Sequence, residues 1–199
     1  MTSSTGMDAL THAVEAYIGR STSGETRRLA LEATKLVFEN VEKAYADGHN
    51  HEARENMLHA AYRAGVAFSK SYVGYIHAVA HSLGGRYGTP RGLANAVIMP
   101  YVLESYGKCV YKKLHRLGVA ADVCSDSDSD EIGAKKFIEA IKTLNAKMNI
   151  PTGFEQIKDE DIPTIVERAL KEGNPLYPVP KIMDVEELSE IIRKVGNLK

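Results

Sequence analysis

Apolar residues in this sequence step by three and four almost from end to end, and no stretch alternates apolar and polar over a useful length. From Met7 to Ile18 the set is Met7, Leu10, Val14, Tyr17 and Ile18, with Thr5 as an expected N-cap and Asp8 three positions on. Further helices are predicted over Thr26–Ala46, with Leu29, Leu31, Leu36, Val37 and Val41 as core and Gly48-His49-Asn50 as the stop, and over Glu52–Lys70 through Met57, Leu58, Ala61, Ala64 and Phe68. Tyr75–Leu83 is apolar on nearly all sides, which predicts a central helix ended by Gly84-Gly85. Thr89-Pro90 predicts the next start, with Thr89 as cap and Pro90 at the first helical position, running to Pro100. Four more helices are expected near Val110–Val123, Asp130–Met148, Asp159–Lys171 and Val185–Val195, the last preceded by the extended, proline-rich piece 174–180. A chain patterned this way buries its apolar stripes only by packing helix on helix, so the expected class is all-α, a multi-helix bundle forming one domain over 1–199.

At 199 residues the chain is long enough to bury roughly 70% of its unfolded surface. Its 25 basic and 26 acidic residues nearly cancel, which gives no pull toward nucleic acid or an anionic membrane. No apolar run approaches the ~20 residues of a membrane span. The N-terminus lacks the basic and apolar regions of a signal peptide. Cys109 and Cys124 match no zinc-ribbon spacing and are expected to remain thiols in a reducing, cytoplasmic compartment.

Two pairs carry chemistry. Asp8 and His12 are four apart on the first helix, and His77 and His81 are four apart on the fourth. Residues at that spacing share a helix face. Two such pairs facing each other place three or four N/O ligands around one cation, a set that suits Zn²⁺ or Fe²⁺. The competing reading is structural: core histidines bonded to backbone, and an aspartate favouring the positive end of a helix. His77 and His81 lie in the most apolar segment of the chain, where imidazoles need partners, and a shared metal supplies one. The run 125–131 begins like a calcium loop but has Glu131 and Phe137 where glycine and glutamate belong, so it reads as a solvated loop ending in a helix cap. Gly84-Gly85-Arg86-Tyr87-Gly88 follows no strand and is not a phosphate loop. His49 and His51 flank a polar turn and are expected to be exposed.

Thr5-Gly6-Met7-Asp8-Ala9-Leu10-Thr11-His12-Ala13-Val14-Glu15-Ala16-Tyr17 closely resembles a signature of the iron-containing (group III) alcohol dehydrogenases. Gly74-Tyr75-Ile76-His77-Ala78-Val79-Ala80-His81-Ser82-Leu83-Gly84, followed by Gly92-Leu93-Ala94-Asn95-Ala96, resembles the second, and the Asn174-Pro175 stretch also matches. The resemblance covers essentially the whole chain. It implies the dehydroquinate synthase-like helical C-terminal domain of such an enzyme, which faces an N-terminal NAD(P)-binding α/β domain across the cleft where a small alcohol or aldehyde reacts. It also implies that Asp8, His12 and His77 are metal ligands, whereas His81 lies beside the nicotinamide and substrate. The cation polarises the alcohol oxygen while hydride passes to the nicotinamide.

Two departures matter. No glycine-rich pyrophosphate loop or nucleotide-binding domain precedes Thr5, so hydride transfer is not expected of this chain alone, and NAD(P) is expected only with a second domain. The family's fourth metal ligand is a histidine, and Arg91 stands in its place; a guanidinium has no lone pair for a metal. Arg91 either pairs with Asp8 in place of the cation or swings out and leaves Asp8, His12, His77 and waters around it, and a positive neighbour favours weak binding. The alternative function is a non-catalytic helical scaffold, self-associating or partnered by a separate nucleotide-binding chain. A helical metal hydrolase is disfavoured because the sequence has no His-Asp dipeptide.

Overall fold

Short polar side chains do much of the parsing of this chain into helices. Ser23 Oγ accepts from Thr26 N at 3.1 Å while Thr26 Oγ1 accepts from Ser23 N at 2.8 Å, which opens one helix. Asn50, Ser129 and Asp184 likewise accept from the backbone three residues on. The computed structural model describes residues 1–198; Lys199, the last residue of the expected domain, lies outside the described residues. Among the described residues there are nine α-helices and no strand: α1 Thr2–Ile18, α2 Gly24–Ala46, α3 His51–Ser71, α4 Tyr75–Tyr87, α5 Arg91–Tyr106, α6 Tyr111–Ala120, α7 Asp130–Lys147, α8 Ile162–Gly173 and α9 Val185–Val195. The expected all-α class holds. Both cysteines are free thiols, and His49 and His51 are exposed. No helix of the described residues is long and apolar enough to cross a membrane.

Several boundaries differ from expectation for identifiable reasons. α1 starts at Thr2, and Thr5 is inside it; its hydroxyl donates back to Met1 O and Thr2 O at 3.2 and 3.3 Å rather than capping. α4 runs through Gly84-Gly85 to Tyr87 and stops at Gly88, whose φ of 67° is the left-handed cap conformation. α5 begins at Arg91, one residue past the expected Pro90, and Thr89 makes no side-chain cap. It does not end at Pro100 but continues to Tyr106. A proline there removes the donor for Ala96 O. Asn145 Nδ2 on α7 replaces it, donating to Ala96 O at 2.8 Å.

α1 is the axis of the bundle. Its residues from Gly6 to Ile18 are buried on nearly all sides, apart from Asp8 and His12, and it packs against α2, α3 and α5. The faces that meet it are lined with small side chains: Ala30, Ala33, Val37, Val41 and Ala44 on α2, and Ala53, Ala60, Ala64 and Ala67 on α3. The expected core residues Leu29, Leu31 and Leu36 are only partly buried, and Leu58 and Ala61 are exposed. Close helix approach selects alanine for the seam and moves larger residues outward. α4 is buried along most of its length, as its all-round apolarity implies, between α5 and α8. The piece 174–180 fastens both inner helices. Pro178 O accepts from Arg20 N just past α1, at 2.7 Å, and Asn174 Oδ1 accepts from the hydroxyl of buried Tyr75, at 2.8 Å.

Candidate metal centre

Two helix starts converge on α1. The first turn of α5 presses against it at Gly92, where a Cβ would collide with Ser4 O and lie 3.2 Å from Asp8 Cβ. Only glycine allows that approach, and it delivers the neighbouring Arg91 and Asn95 onto Asp8. Arg91 Nη2 donates to Asp8 Oδ2 and Asn95 Nδ2 donates to Asp8 Oδ1, each at 2.7 Å. Burial alone raises the Asp8 carboxyl, but the hydrogen bonds from Arg91 first, and also Asn95, outweigh it and hold the group below its ordinary value.

The second approach is at the start of α4. Glu15 of α1 is 2% exposed, and its carboxylate accepts from Gly74 N and Ile76 N, both at 2.8 Å, so it caps that helix. Gly74 carries no Cβ, which would stand 2.8 Å from Glu15 Oε1. The same carboxylate meets His77 Nδ1 at 2.6 Å. A carboxylate only accepts, so in the neutral ring the proton sits on Nδ1 and the lone pair on Nε2. That Nε2 is buried and has no hydrogen-bond partner. The His12 ring stacks between Phe68 and His77, with centroids 4.2 and 4.5 Å away. Burial is the largest of the causes that push its pKa down, to about 3.

Asp8, His12 and His77 thus offer one carboxylate oxygen and two imidazole nitrogens, all within 4.8 Å of one another. A tetrahedral ion with bonds of ~2.0–2.2 Å needs donors roughly 3.4 Å apart. The three residues fit such an ion if the donors draw in by about 1 Å or less. The orphaned Nε2 of His77, with Glu15 fixing the opposite nitrogen, has the form of a metal-ligating histidine and its supporting carboxylate. Of the four residues singled out in the sequence, His81 stands outside the cluster. Its ring meets His77 edge-on at 5.9 Å, its side chain is 40% exposed, and its Nδ1 is held by Glu172 Oε1 at 2.7 Å. Tyr177 of the proline-rich piece donates to the same oxygen at 2.6 Å. Burial and Glu172 raise the Tyr177 hydroxyl well above its ordinary value, which keeps it a donor. Arg91 takes the paired of its two expected positions. Glu15, Asn95, Glu172 and Tyr177 were not assigned roles from sequence; a lone carboxylate inside Ala13-Val14-Glu15-Ala16-Tyr17 was the available signal for the first of them.

Residues 2–196 match the model of the Fe-containing alcohol dehydrogenase family, C-terminal. The chain is 39% identical over 196 residues to 1,3-propanediol dehydrogenase of Citrobacter freundii, covering 98% of this chain and 50% of that protein. It is 34% identical over 201 residues to the NAD-dependent methanol dehydrogenase of Bacillus methanolicus, with 97% and 51% covered. The crystal structure of a 1,3-propanediol oxidoreductase superposes with a TM-score of 0.92 at 37% identity, over 97% of this chain and 51% of that one. The chain spans about half the length of the curated relatives it matches. It belongs to the iron-containing alcohol dehydrogenase family and corresponds to the C-terminal helical domain of that family.

Proposed function

We propose that this chain is the metal-binding, substrate-side domain of an NAD(P)-dependent alcohol dehydrogenase that interconverts small alcohols and aldehydes. Asp8, His12 and His77 would hold a divalent cation, Fe²⁺ or Zn²⁺, with Arg91 at the fourth position as a non-ligand. When bound, such a cation polarises the alcohol oxygen as a Lewis acid. The protein's own part is to orient both imidazoles, His12 by stacking and His77 through Glu15. His81, held at Nδ1 by Glu172, stands beside the cluster where substrate and nicotinamide would meet. The NAD dependence of the Bacillus methanolicus methanol dehydrogenase supports a nicotinamide partner bound by a second domain. Hydride transfer would take place in the cleft between the two domains. The two free thiols fit a cytoplasmic protein.

The observation that carries this reading is the buried, unpartnered His77 Nε2 beside His12 and Asp8. Anaerobic calorimetric titration of the metal-stripped chain with Fe²⁺ or Zn²⁺ tests it. One-to-one binding that disappears in Asp8→Asn is expected. A second reading, a non-catalytic helical scaffold, is favoured by the Arg91–Asp8 pair. It predicts a folded chain that takes up no metal.

A further inference from the structure

The Asp8 carboxylate has both oxygens engaged, one by Asn95 and one by Arg91. Its side chain is 15% exposed, while that of Arg91 is 53% exposed. A carboxylate so enclosed needs a positive partner, and the guanidinium supplies it with one charge-assisted hydrogen bond from Nη2. Asp8 and Arg91 thus form an ion pair, with Asn95 on the second carboxylate oxygen. A divalent cation added to that arrangement would meet an oxygen already occupied and a fixed positive charge beside it.

We infer that Arg91 is a built-in counter-cation that competes with the divalent ion for Asp8, so that metal enters only as the guanidinium leaves Asp8 Oδ2. The inference rests on the proposed metal-binding reading and adds the identity of the residue that sets affinity. The exposure of Arg91 makes the exchange feasible. Its side chain has open water on one side and can leave Asp8 without disturbing the core, whereas Asn95, fully buried, stays and keeps the carboxylate oriented. The metal-free protein is then a satisfied structure, with no uncompensated buried charge at Asp8.

Competition predicts opposite signs in two measurements on one variant. Arg91→Met removes the charge without adding a ligand. Its affinity for Co²⁺, followed by visible absorption of the metal-stripped chain, is expected to rise roughly 10- to 100-fold over the parent, the size of effect a metal ligand's neighbours usually have. Its thermal midpoint without metal is expected to fall below the parent's, because Asp8 loses its partner. Arg91→His, which adds a ligand as well, is expected to bind Co²⁺ more tightly still. If Arg91→Met is folded by circular dichroism but binds Co²⁺ no more tightly than the parent, the inference is overturned. An unchanged metal-free midpoint also overturns it. In that case, tight parent binding abolished in Asp8→Asn leaves the functional reading standing, whereas no binding by the parent, Arg91→Met or Arg91→His removes both.

Discussion

Glu15 joins the fold to the site more directly than any other residue. It caps α4 and fixes His77 with the same two oxygens. Glu15→Gln keeps the shape but turns one acceptor into a donor facing backbone N–H groups. The expected cost is about 1–3 kcal/mol in chemical denaturation, with metal affinity lowered by roughly 10- to 100-fold because His77 loses its orienting partner. A variant as stable as the parent would show that the buried carboxylate is not needed as a cap. His115 gives a pH-dependent counterpart remote from the metal cluster. Its Nε2 meets Ser125 O at 2.9 Å and its Nδ1 meets Asp130 Oδ1 at 3.0 Å, an arrangement that satisfies a doubly protonated ring. The Ser125 carbonyl first, then Asp130, and more weakly the charge of Asp126, raise its pKa above the ordinary 6.5. A raised folded pKa adds stability that is complete below about 6.5 and fades as pH climbs through the raised value. The parent should therefore lose more of its denaturation midpoint between pH 6 and pH 8.5 than His115→Gln does. Equal losses in the two proteins would refute this.

Helix identity was legible in the sequence, and helix ends were not wherever a distant partner rescued a local breaker. Pro100 reads as a stop, yet Asn145 from α7 supplies the donor that proline removed. Nothing within one turn of Pro100 announces that. Gly84-Gly85 reads as a terminator because glycine weakens helices, but only Gly88 takes the left-handed conformation that ends one. On α3 the expected Ala64 is buried and Met57 and Phe68 are partly buried, but Leu58 and Ala61 are exposed, because the buried face is lined by alanine. The site divided in the same way. Asp8, His12 and His77 follow from helical spacing and the family resemblance, whereas Asn95, Glu172 and Tyr177 reach it from elements whose docking no local pattern encodes. The α5–α7 rescue is testable as a cycle. Asn145→Leu should cost about 1–3 kcal/mol by leaving Ala96 O unpaired. The same change in a Pro100→Ala background should cost less, since the alanine N–H restores the helical bond. Additive losses would show that the Asn145 contact is incidental.

At the scale of the whole molecule, the bundle leaves an apolar groove between α1 and α3. It is lined by Met1, Ala9, Met57, Leu58 and Ala61, with Leu58 and Tyr62 strongly exposed beside it. Contiguous exposed apolar surface favours association. Sedimentation velocity on this chain alone should show concentration-dependent dimers or larger species that diminish in a Leu58→Ser, Tyr62→Ser double variant. A monodisperse monomer at high concentration would contradict that expectation. In the proposed function one cation is held where side chains of α1 and α4 meet, by two imidazoles and a carboxylate. X-ray absorption at the metal edge of the zinc-loaded chain tests it most directly. Two imidazole nitrogens at ~2.0–2.1 Å with oxygen completing the shell are expected, with the loss of one imidazole in His77→Ala. A spectrum without imidazole scattering, or one unchanged in His77→Ala, would contradict it.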